Sequence, residues 1–188
     1  GVDFITRPFN AQELIARTKT HIELKKAKEK LMRMAVTDEL TGLFNRRYFM
    51  NRLHQEFERV KRYESIFTLI MLDIDYFKKI NDSHGHLAGD FMLRNTADIM
   101  KKSLRLTDTV GRIGGEEFAI LLPETEIEYG VEIAERLRKK IDQTNLEFEG
   151  ISLKLTISAG ISDSDTSDVS VDSILQRADL ALYRAKEE

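Results

Sequence analysis

The segment Ile66–Asp73 is the sequence feature that most limits how this chain can fold. It reads Ile-Phe-Thr-Leu-Ile-Met-Leu-Asp and is apolar at successive positions, so both faces of a strand formed here need to be covered. Broken only by Thr68, Ile66–Leu72 is the longest apolar run of the chain, and it is far shorter than the ~20 residues of a membrane-spanning helix. The sequence therefore predicts a buried strand at the centre of a sheet, ending in the carboxylate of Asp73.

A second strand signal surrounds Gly114-Gly115, between Val110 and Leu122. A Gly-Gly pair suits a two-residue hairpin turn with positive φ at both central positions. Three apolar residues alternate on one face of the outgoing strand and would fix its register: Phe118, Ile120 and Leu122. Glu116 and Glu117 would then lie at the mouth of the hairpin. An ordinary turn with solvated glutamates remains an alternative at this point.

Apolar residues at helical spacing predict helices on both sides of these strands. The predicted buried positions are Phe49, Leu53, Phe57 and Val60, then Leu93, Ala97, Met100 and Leu104, then Ala134, Leu137 and Ile141, and last Ile174, Leu175, Ala178, Ala181 and Leu182. Asn45 is expected to cap the first of these helices. A glycine-containing stop and restart is expected at 82–90, a strand at Leu153–Ile161 and a mobile loop at Ser162–Ser170.

This order of elements is typical of the α+β class. It predicts a central, mostly antiparallel sheet flanked by helices, of the split β-α-β or ferredoxin-like type. Before it, Gly1–Thr6 reads as the tail of a strand, 7–10 as a turn, and Ala11 to about Val36 as a long helix capped by Asn10. A short heptad seam in this helix suits a two-stranded coiled coil, and a single solvated linker helix fits equally well: Leu24, Ala27, Leu31 and Met34.

Composition excludes several classes of function. The chain has no cysteine, so a disulfide framework and a thiolate metal site are impossible. Its 29 basic and 32 acidic residues give a net charge of −3, which argues against general affinity for nucleic acid polymers. No secretion signal or membrane segment is evident, so we expect a cytoplasmic protein.

The end of the buried strand carries the main chemical signal. Asp73 and Asp75 precede a short helix, and we expect Asp75 to serve mainly as its N-cap. A hairpin beside the central strand would bring Glu116 to Asp73, and a carboxylate pair without cysteine or histidine favours a hard cation, Mg²⁺ or Mn²⁺. Such ions usually complete their coordination with substrate phosphates. The residues alone therefore predict metal-dependent phosphoryl or nucleotidyl transfer.

Several ordered motifs resemble the GGDEF family of diguanylate cyclases. These are Gly114–Phe118 and Asp73–Asp82, with further matches at Asp38–Arg46, Gly85–Asp90 and Arg177–Lys186. On this resemblance, 37–188 is a GGDEF catalytic domain with a nucleotidyl-cyclase palm fold, truncated before the family's Gly-Arg-Asn segment. The first residues resemble the last strand and helix of a response-regulator receiver domain, so 1–36 is expected to be a receiver remnant and linker.

The resemblance implies condensation of two GTP into cyclic di-GMP and two pyrophosphates, with one GTP on each subunit of a homodimer. Its implied metal ligands are Asp73, the Ile74 carbonyl and Glu116, and they would hold a pair of Mg²⁺ or Mn²⁺ ions for each GTP. The implied catalytic residues are Glu116 as base, Glu117 as its neighbour and Lys78 at the transferring phosphoryl group. The implied substrate-binding residues are Asn81 and Asp90 at guanine, with His86, Tyr76, Phe77 and Lys186.

An Arg-x-x-Asp motif, Arg105 to Asp108, matches the family's inhibitory product site, and Arg136 and Arg59 are further expected contacts there. Two other functions stay open from sequence. One is a catalytically silent receptor for cyclic di-GMP. The other is an adenylyl-cyclase-like or polymerase-palm-like enzyme that uses another nucleotide at the same metal site.

Overall fold

The structure, a computed structural model, describes residues 11–187. The expected strand tail, turn and Asn10 cap at the N-terminus lie outside the described residues. The chain divides into two compact units, Gly1–Val36 and Thr37–Glu188. The helices are α1 Ala11–Val36, α2 Arg46–Tyr63, α3 Phe77–His84, α4 His86–Ser103, α5 Ile127–Asp142 and α6 Val171–Glu187. The strands are β1 Phe44–Asn45, β2 Phe67–Ile74, β3 Thr109–Gly114, β4 Glu117–Pro123, β5 Leu146–Phe148, β6 Ile151–Leu153 and β7 Ile157–Asp163.

The described residues of the first unit form the single helix α1, as the uninterrupted helical sequence predicts. Two residues of the expected seam, Leu24 and Met34, expose 66% and 50% of their surface. Leu14, Ile15 and Ile22 are also exposed. Apolar side chains with this much exposure can pack against another surface, and such pairing remains a prediction. Across the described residues, none of the helices combines the length and apolar character that crossing a bilayer requires.

The second unit is built on a five-stranded sheet in the order β1-β3-β4-β2-β7. Only the short β1 runs parallel to its neighbour among these strands, and the other pairs are antiparallel. All eight residues of β2 are buried. The predicted central strand and the predicted α+β class are therefore confirmed.

Helices cover both faces of this sheet because alternate residues of β2 point to opposite sides. Ile70 and Leu72 enter a core formed with α3, α4 and α5, whereas Leu69 and Met71 enter a core formed with α2 and α6. The predicted apolar faces of α2, α4, α5 and α6 are confirmed, with Leu104, Leu175 and Ala181 only partly buried at their edges. Asn45 caps α2 by accepting a 2.9 Å hydrogen bond from the Tyr48 amide.

The predicted hairpin forms, but its turn is one residue further along than expected. Gly114 pairs with Glu117, so the two central residues are Gly115 and Glu116. Gly115 has a φ of 39°, and Gly114 and Glu116 are not in the positive-φ region. Positive φ at the first central position alone is the pattern of a type II′ turn. A bulge between Arg112 and Gly114 accounts for the shift, because it leaves one extra residue on the incoming strand.

Two other predictions of local structure were wrong. Leu153–Ile161 is two elements, because Leu153 ends β6 and Ile157 begins β7. β6 pairs instead with β5 in a separate hairpin, whose turn residues Glu149 and Gly150 have φ values of 51° and 80°. The region predicted as a mobile loop is partly strand, since β7 runs to Asp163. Its remainder is fixed by the buried Asp168, which accepts two hydrogen bonds from the Arg177 guanidinium at 2.6 and 2.9 Å.

Candidate active site

Register brings the carboxylates together at one edge of the sheet. Asp73 lies opposite Glu117 of β4 and opposite Ser158 of β7. The Ile74 amide donates to the Glu116 carbonyl at 3.4 Å, which ties the end of β2 to the hairpin turn. Asp73 and Glu116, 43 residues apart in the sequence, thus meet where the central strand ends.

A cavity of about 360 Å³ opens at this edge. Its lining residues come from β2, α3, the hairpin, β7 and α6: Asp73, Ile74, Asp75, Tyr76, Phe77, Lys78, Glu116, Ser158, Ala185 and Lys186. Seven of the predicted site residues are therefore brought together, namely Asp73, Ile74, Tyr76, Phe77, Lys78, Glu116 and Lys186. A cavity with both acidic and basic side chains can hold a cation and a phosphate at once.

Asp73 is a buried acid of the cavity. It is only 6% exposed. Burial raises the pKa of the Asp73 carboxyl, the Lys186 ammonium 2.7 Å from its Oδ2 opposes that shift, and the negative charges of Glu116 and Asp75 add to it. The net pKa is raised, so a cation at this carboxylate would relieve an unfavourable charge.

Asp75 does not cap α3, contrary to the sequence prediction. The residue before the helix is Tyr76, which has a φ of 54° and makes no side-chain cap. Asp75 lies one residue too early, and its Oδ1 accepts a 2.7 Å hydrogen bond from the Ser158 hydroxyl while its amide donates to the Thr156 carbonyl at 3.0 Å. Sequence reasoning did not assign Ser158 to the site, since only the β2–β7 register places it beside Asp73.

The donor set at the strand end fits a hard divalent cation. Asp73 and Glu116 supply carboxylate oxygens and Ile74 supplies a backbone carbonyl, which are the ligand types that Mg²⁺ and Mn²⁺ prefer. Within residues 11–187, no three His, Cys, Asp or Glu side chains form a ready metal cluster. A site with two carboxylates matches an ion that takes its remaining ligands from water and substrate phosphates.

A buried polar group lies where α3 packs against α4. The Asn81 Oδ1 atom is buried and has no hydrogen-bond partner among the described residues. It lies against Gly89, where an added Cβ would be 2.0 Å from it. Asp90 follows on α4, with its Oδ2 3.7 Å from Arg94 Nη2. An unsatisfied buried amide oxygen, with a carboxylate on the residue that follows the glycine it faces, is suited to a ligand that offers N–H donors.

The other predicted site residues are placed less tightly. Tyr76 is 79% exposed at the cavity rim, whereas Phe77 is 9% exposed and belongs mainly to the core. His86 is exposed at the first turn of α4, and Glu117 is exposed on β4. The described residues that line the cavity do not include Asn81, His86, Asp90 or Glu117.

Arg112 supports the hairpin turn, a role that the sequence did not reveal. Its Nε donates to the Gly115 carbonyl at 2.9 Å, and its Nη1 lies 3.2 Å from both carboxylate oxygens of Asp38. Burial works to raise the pKa of Asp38, but the hydroxyl and amide of Thr41 and the charge of Arg112 outweigh it, so this pKa is lowered. Asp38 thus forms an ion pair with Arg112 across the domain and holds the residue that supports the turn.

A second groove of about 580 Å³ contains the Arg-x-x-Asp segment. Asp108 Oδ2 accepts a 2.8 Å hydrogen bond from the Arg105 amide, which closes the segment into a turn. Arg52 and Arg59 of α2 also line the groove. Arg136 is exposed on α5 and is not one of the described residues that line it.

The profile of the family described as "Diguanylate cyclase, GGDEF domain" matches residues 35–188, which is most of the chain. The chain belongs to the GGDEF family. The motifs noted in the sequence therefore mark a family domain, and its strand-end carboxylates line the cavity of about 360 Å³.

Curated relatives share the domain within longer chains. The chain is 47% identical to Diguanylate cyclase DgcP of Pseudomonas aeruginosa over 152 residues, which are 81% of this chain and 22% of that protein. It is 37% identical to Response regulator PleD of Caulobacter vibrioides over 193 aligned positions, covering 98% of this chain and 42% of that protein. The chain thus spans less than half the length of these relatives.

Solved structures confirm the fold. The coiled coil and GGDEF domain of DgcB from Caulobacter crescentus, in complex with c-di-GMP, superimposes with a TM-score of 0.83 at 28% identity, covering 94% of each chain. Diguanylate cyclase SiaD from Pseudomonas aeruginosa, in complex with its activator SiaC, has a TM-score of 0.79 at 35% identity. That match covers 94% of this GGDEF chain and 68% of SiaD.

Proposed function

We propose that this chain carries the catalytic domain of a diguanylate cyclase. Two GTP molecules react, with the 3′-hydroxyl of each attacking the α-phosphorus of the other. Two phosphodiester bonds form, two bonds to pyrophosphate break, and the two hydroxyl protons pass to bases. The products are cyclic di-GMP and two pyrophosphates.

The observation that carries this proposal is the convergence of opposite charges in one cavity. Asp73 and Glu116 provide the acids at the strand end, and Lys78 and Lys186 provide the cations around them. A triphosphate needs both, since cations must balance its charge and a carboxylate must accept the proton of the attacking hydroxyl. Family membership and the similarity to proteins named diguanylate cyclases agree with this chemistry.

Each cavity residue then has a role. Glu116, the second central residue of the hairpin turn, is the base that receives the proton from the 3′-hydroxyl, and Glu117, the next residue along the chain, assists it. Lys78, in the first turn of α3, balances the charge on the transferring phosphoryl group. Asp73, the Ile74 carbonyl and Glu116 would hold Mg²⁺ or Mn²⁺, which stabilises charge on the phosphate oxygens when bound.

Asn81 and Asp90 would select guanine. Guanine presents N–H donors at its N1 and N2 positions, which suit the partnerless Asn81 oxygen and the Asp90 carboxylate. Adenine has no donor at N1, so it would leave one of these acceptors unsatisfied, at a cost of about 1–3 kcal/mol. This supports GTP over ATP, with His86 and Tyr76 as outer contacts.

The reaction needs two such sites face to face, because each GTP supplies the nucleophile for the other. A homodimer with one GTP on each subunit meets this need. The exposed apolar residues of α1 supply a surface on which two copies could pair.

Incubation with GTP and Mg²⁺, followed by chromatography, tests the proposal. Cyclic di-GMP should form, and Glu116→Gln should lower its rate by about a hundredfold or more, as expected for loss of a general base. Glu132→Gln removes an exposed carboxylate of α5 and should leave the rate unchanged. Absence of product from the folded wild-type protein, in the presence of both Mg²⁺ and Mn²⁺, would disprove the cyclase assignment.

The second groove supports feedback inhibition by the product. Arg52, Arg59 and Arg105 line one concave surface, and guanidinium groups suit both the phosphates and the guanine edges of a dinucleotide. Calorimetry with cyclic di-GMP should show binding that Arg105→Ala weakens at least tenfold. Arg136 does not line the groove, although the sequence predicted that it contacts the product. Arg136→Ala therefore tests whether the product contacts residues outside the groove. Binding without turnover of GTP would favour a receptor instead.

A further inference from the structure

Lys186 is paired with a buried acid of the proposed metal site. It lies in the last turn of α6, and its Nζ is 2.7 Å from Asp73 Oδ2. The Asp73 side chain is 8% exposed, whereas that of Lys186 is 41% exposed. The ammonium therefore reaches inward from the surface to a carboxylate that is otherwise closed to solvent.

The same carboxylate is needed by a divalent cation if the proposed function is right, and the present inference rests on that function. An ion bound by Asp73 and Glu116 would come within a few ångströms of the Lys186 ammonium. Repulsion between a double and a single positive charge at that distance is strong in a partly buried cavity. The Lys186 side chain can move away from Asp73, because its four-carbon chain is flexible and the cavity that it lines is open beside it.

We propose that Lys186 is a displaceable counter-ion of Asp73, which the divalent cation replaces and which then turns to the phosphates of the substrate. Lys186 thus opposes binding of the cation alone. A bound triphosphate offers the released ammonium a new partner, so nucleotide and cation should strengthen each other's binding. The site would load the cation and the nucleotide together.

A different arrangement predicts the opposite effect. Lys186 could stay on Oδ2 and orient the carboxylate while the cation binds Oδ1, as outer partners of metal ligands commonly do. In that case the loss of Lys186 would weaken cation binding. The sign of the change therefore separates the two arrangements.

The test is a titration with Mn²⁺ in the absence of nucleotide. Electron paramagnetic resonance measures the concentration of free Mn²⁺ at each point. Lys186→Met should lower the Kd for Mn²⁺ by about threefold to tenfold, as expected for loss of a partly exposed ion pair. Lys79→Met removes the same charge from an exposed position on α3 and should change the Kd by less than about twofold. Thermal unfolding of each variant verifies that it is folded.

A nucleotide arm tests the coupling. A non-hydrolysable GTP analogue should tighten Mn²⁺ binding more in the wild-type protein than in Lys186→Met. In the wild-type protein, acetylation of Lys186 relative to Lys79, measured by mass spectrometry, should rise when Mn²⁺ is added without nucleotide. Both changes report release of the ammonium from Asp73.

The outcomes distinguish this inference from the proposed function. A Kd in Lys186→Met equal to that in Lys79→Met, or weaker binding, would overturn the counter-ion role and leave the cyclase assignment standing. If the wild-type protein binds no Mn²⁺ even with the GTP analogue, the metal-dependent function itself fails and the inference fails with it.

Discussion

Gly89 is the residue at which one methyl group would reach the proposed guanine site. A Cβ there would lie 2.0 Å from Asn81 Oδ1 and 3.0 Å from Phe77 Cζ. The Asn81 side chain can move aside, so we expect Gly89→Ala to cost only about 1–2 kcal/mol of stability. The amide would lose its position, and the KM for GTP should rise about tenfold in steady-state kinetics.

A double-mutant cycle shows whether this effect passes through Asn81. Asn81→Ala alone should raise the KM to a similar extent, and adding Gly89→Ala to it should have little further effect. If the two substitutions instead multiply, Gly89 contributes to substrate binding by another route, such as direct contact with the base.

The two glycines of the hairpin have different roles at the scale of the element. Gly115 has a φ of 39° and open space around its Cα, whereas Gly114 lies outside the positive-φ region. Gly115→Ala should therefore cost about 1 kcal/mol in urea unfolding because of backbone strain. Gly114→Ala, whose Cβ would meet its nearest atom at 3.7 Å, should be close to neutral. Equal losses of stability in Gly115→Ala and Gly114→Ala would contradict the type II′ turn.

Asp168 holds the segment after β7 to α6. Arg177 donates to it from both terminal guanidinium nitrogens, Nη1 and Nη2, and this contact lowers the pKa of Asp168 to about 2. Its folded pKa is below the unfolded value, so its contribution to stability is present above about pH 4 and lost as the pH falls toward 2. Asp168→Asn should lower the free energy of unfolding, measured in urea at pH 7, by about 2 kcal/mol. The difference from wild type should shrink between pH 4 and pH 2.

Asp165→Asn is the matched control on the same segment. Because Asp165 is exposed, its replacement should change the free energy of unfolding far less than the replacement of Asp168. A difference for Asp168→Asn that persists unchanged at low pH would show that the side chain acts through its shape and not through its charge.

The elements that the sequence predicted well are those whose signal is local. The buried β2, the Asn45 cap and the apolar helix faces each follow from spacing or from one side chain. The Asp75 cap failed because the chain takes an αL turn at Tyr76, a conformation that non-glycine residues rarely adopt. Ser158 and Arg112 were missed because their contacts depend on register and on a bulge, which arise only once the strands pair.

At the scale of the whole molecule, α1 carries apolar residues on opposite sides. Ile15 and Leu24 are nine residues apart, which is two and a half helical turns, so they point in nearly opposite directions. They are almost equally exposed, at 67% and 66%. One straight two-stranded coiled coil can cover only one of these sides.

The pair provides a controlled test of the proposed dimer. The heptad seam includes Leu24, so Leu24→Glu should shift sedimentation of the chain from dimer to monomer and lower cyclase activity per subunit at low protein concentration. Ile15→Glu adds the same charge at the same exposure on the other side and should leave self-association intact. If Ile15→Glu dissociates the chain and Leu24→Glu does not, the pairing surface is the face of α1 that carries Ile15. The two subunits, each with its GTP, would then be held together by that face of α1 instead of by the heptad seam.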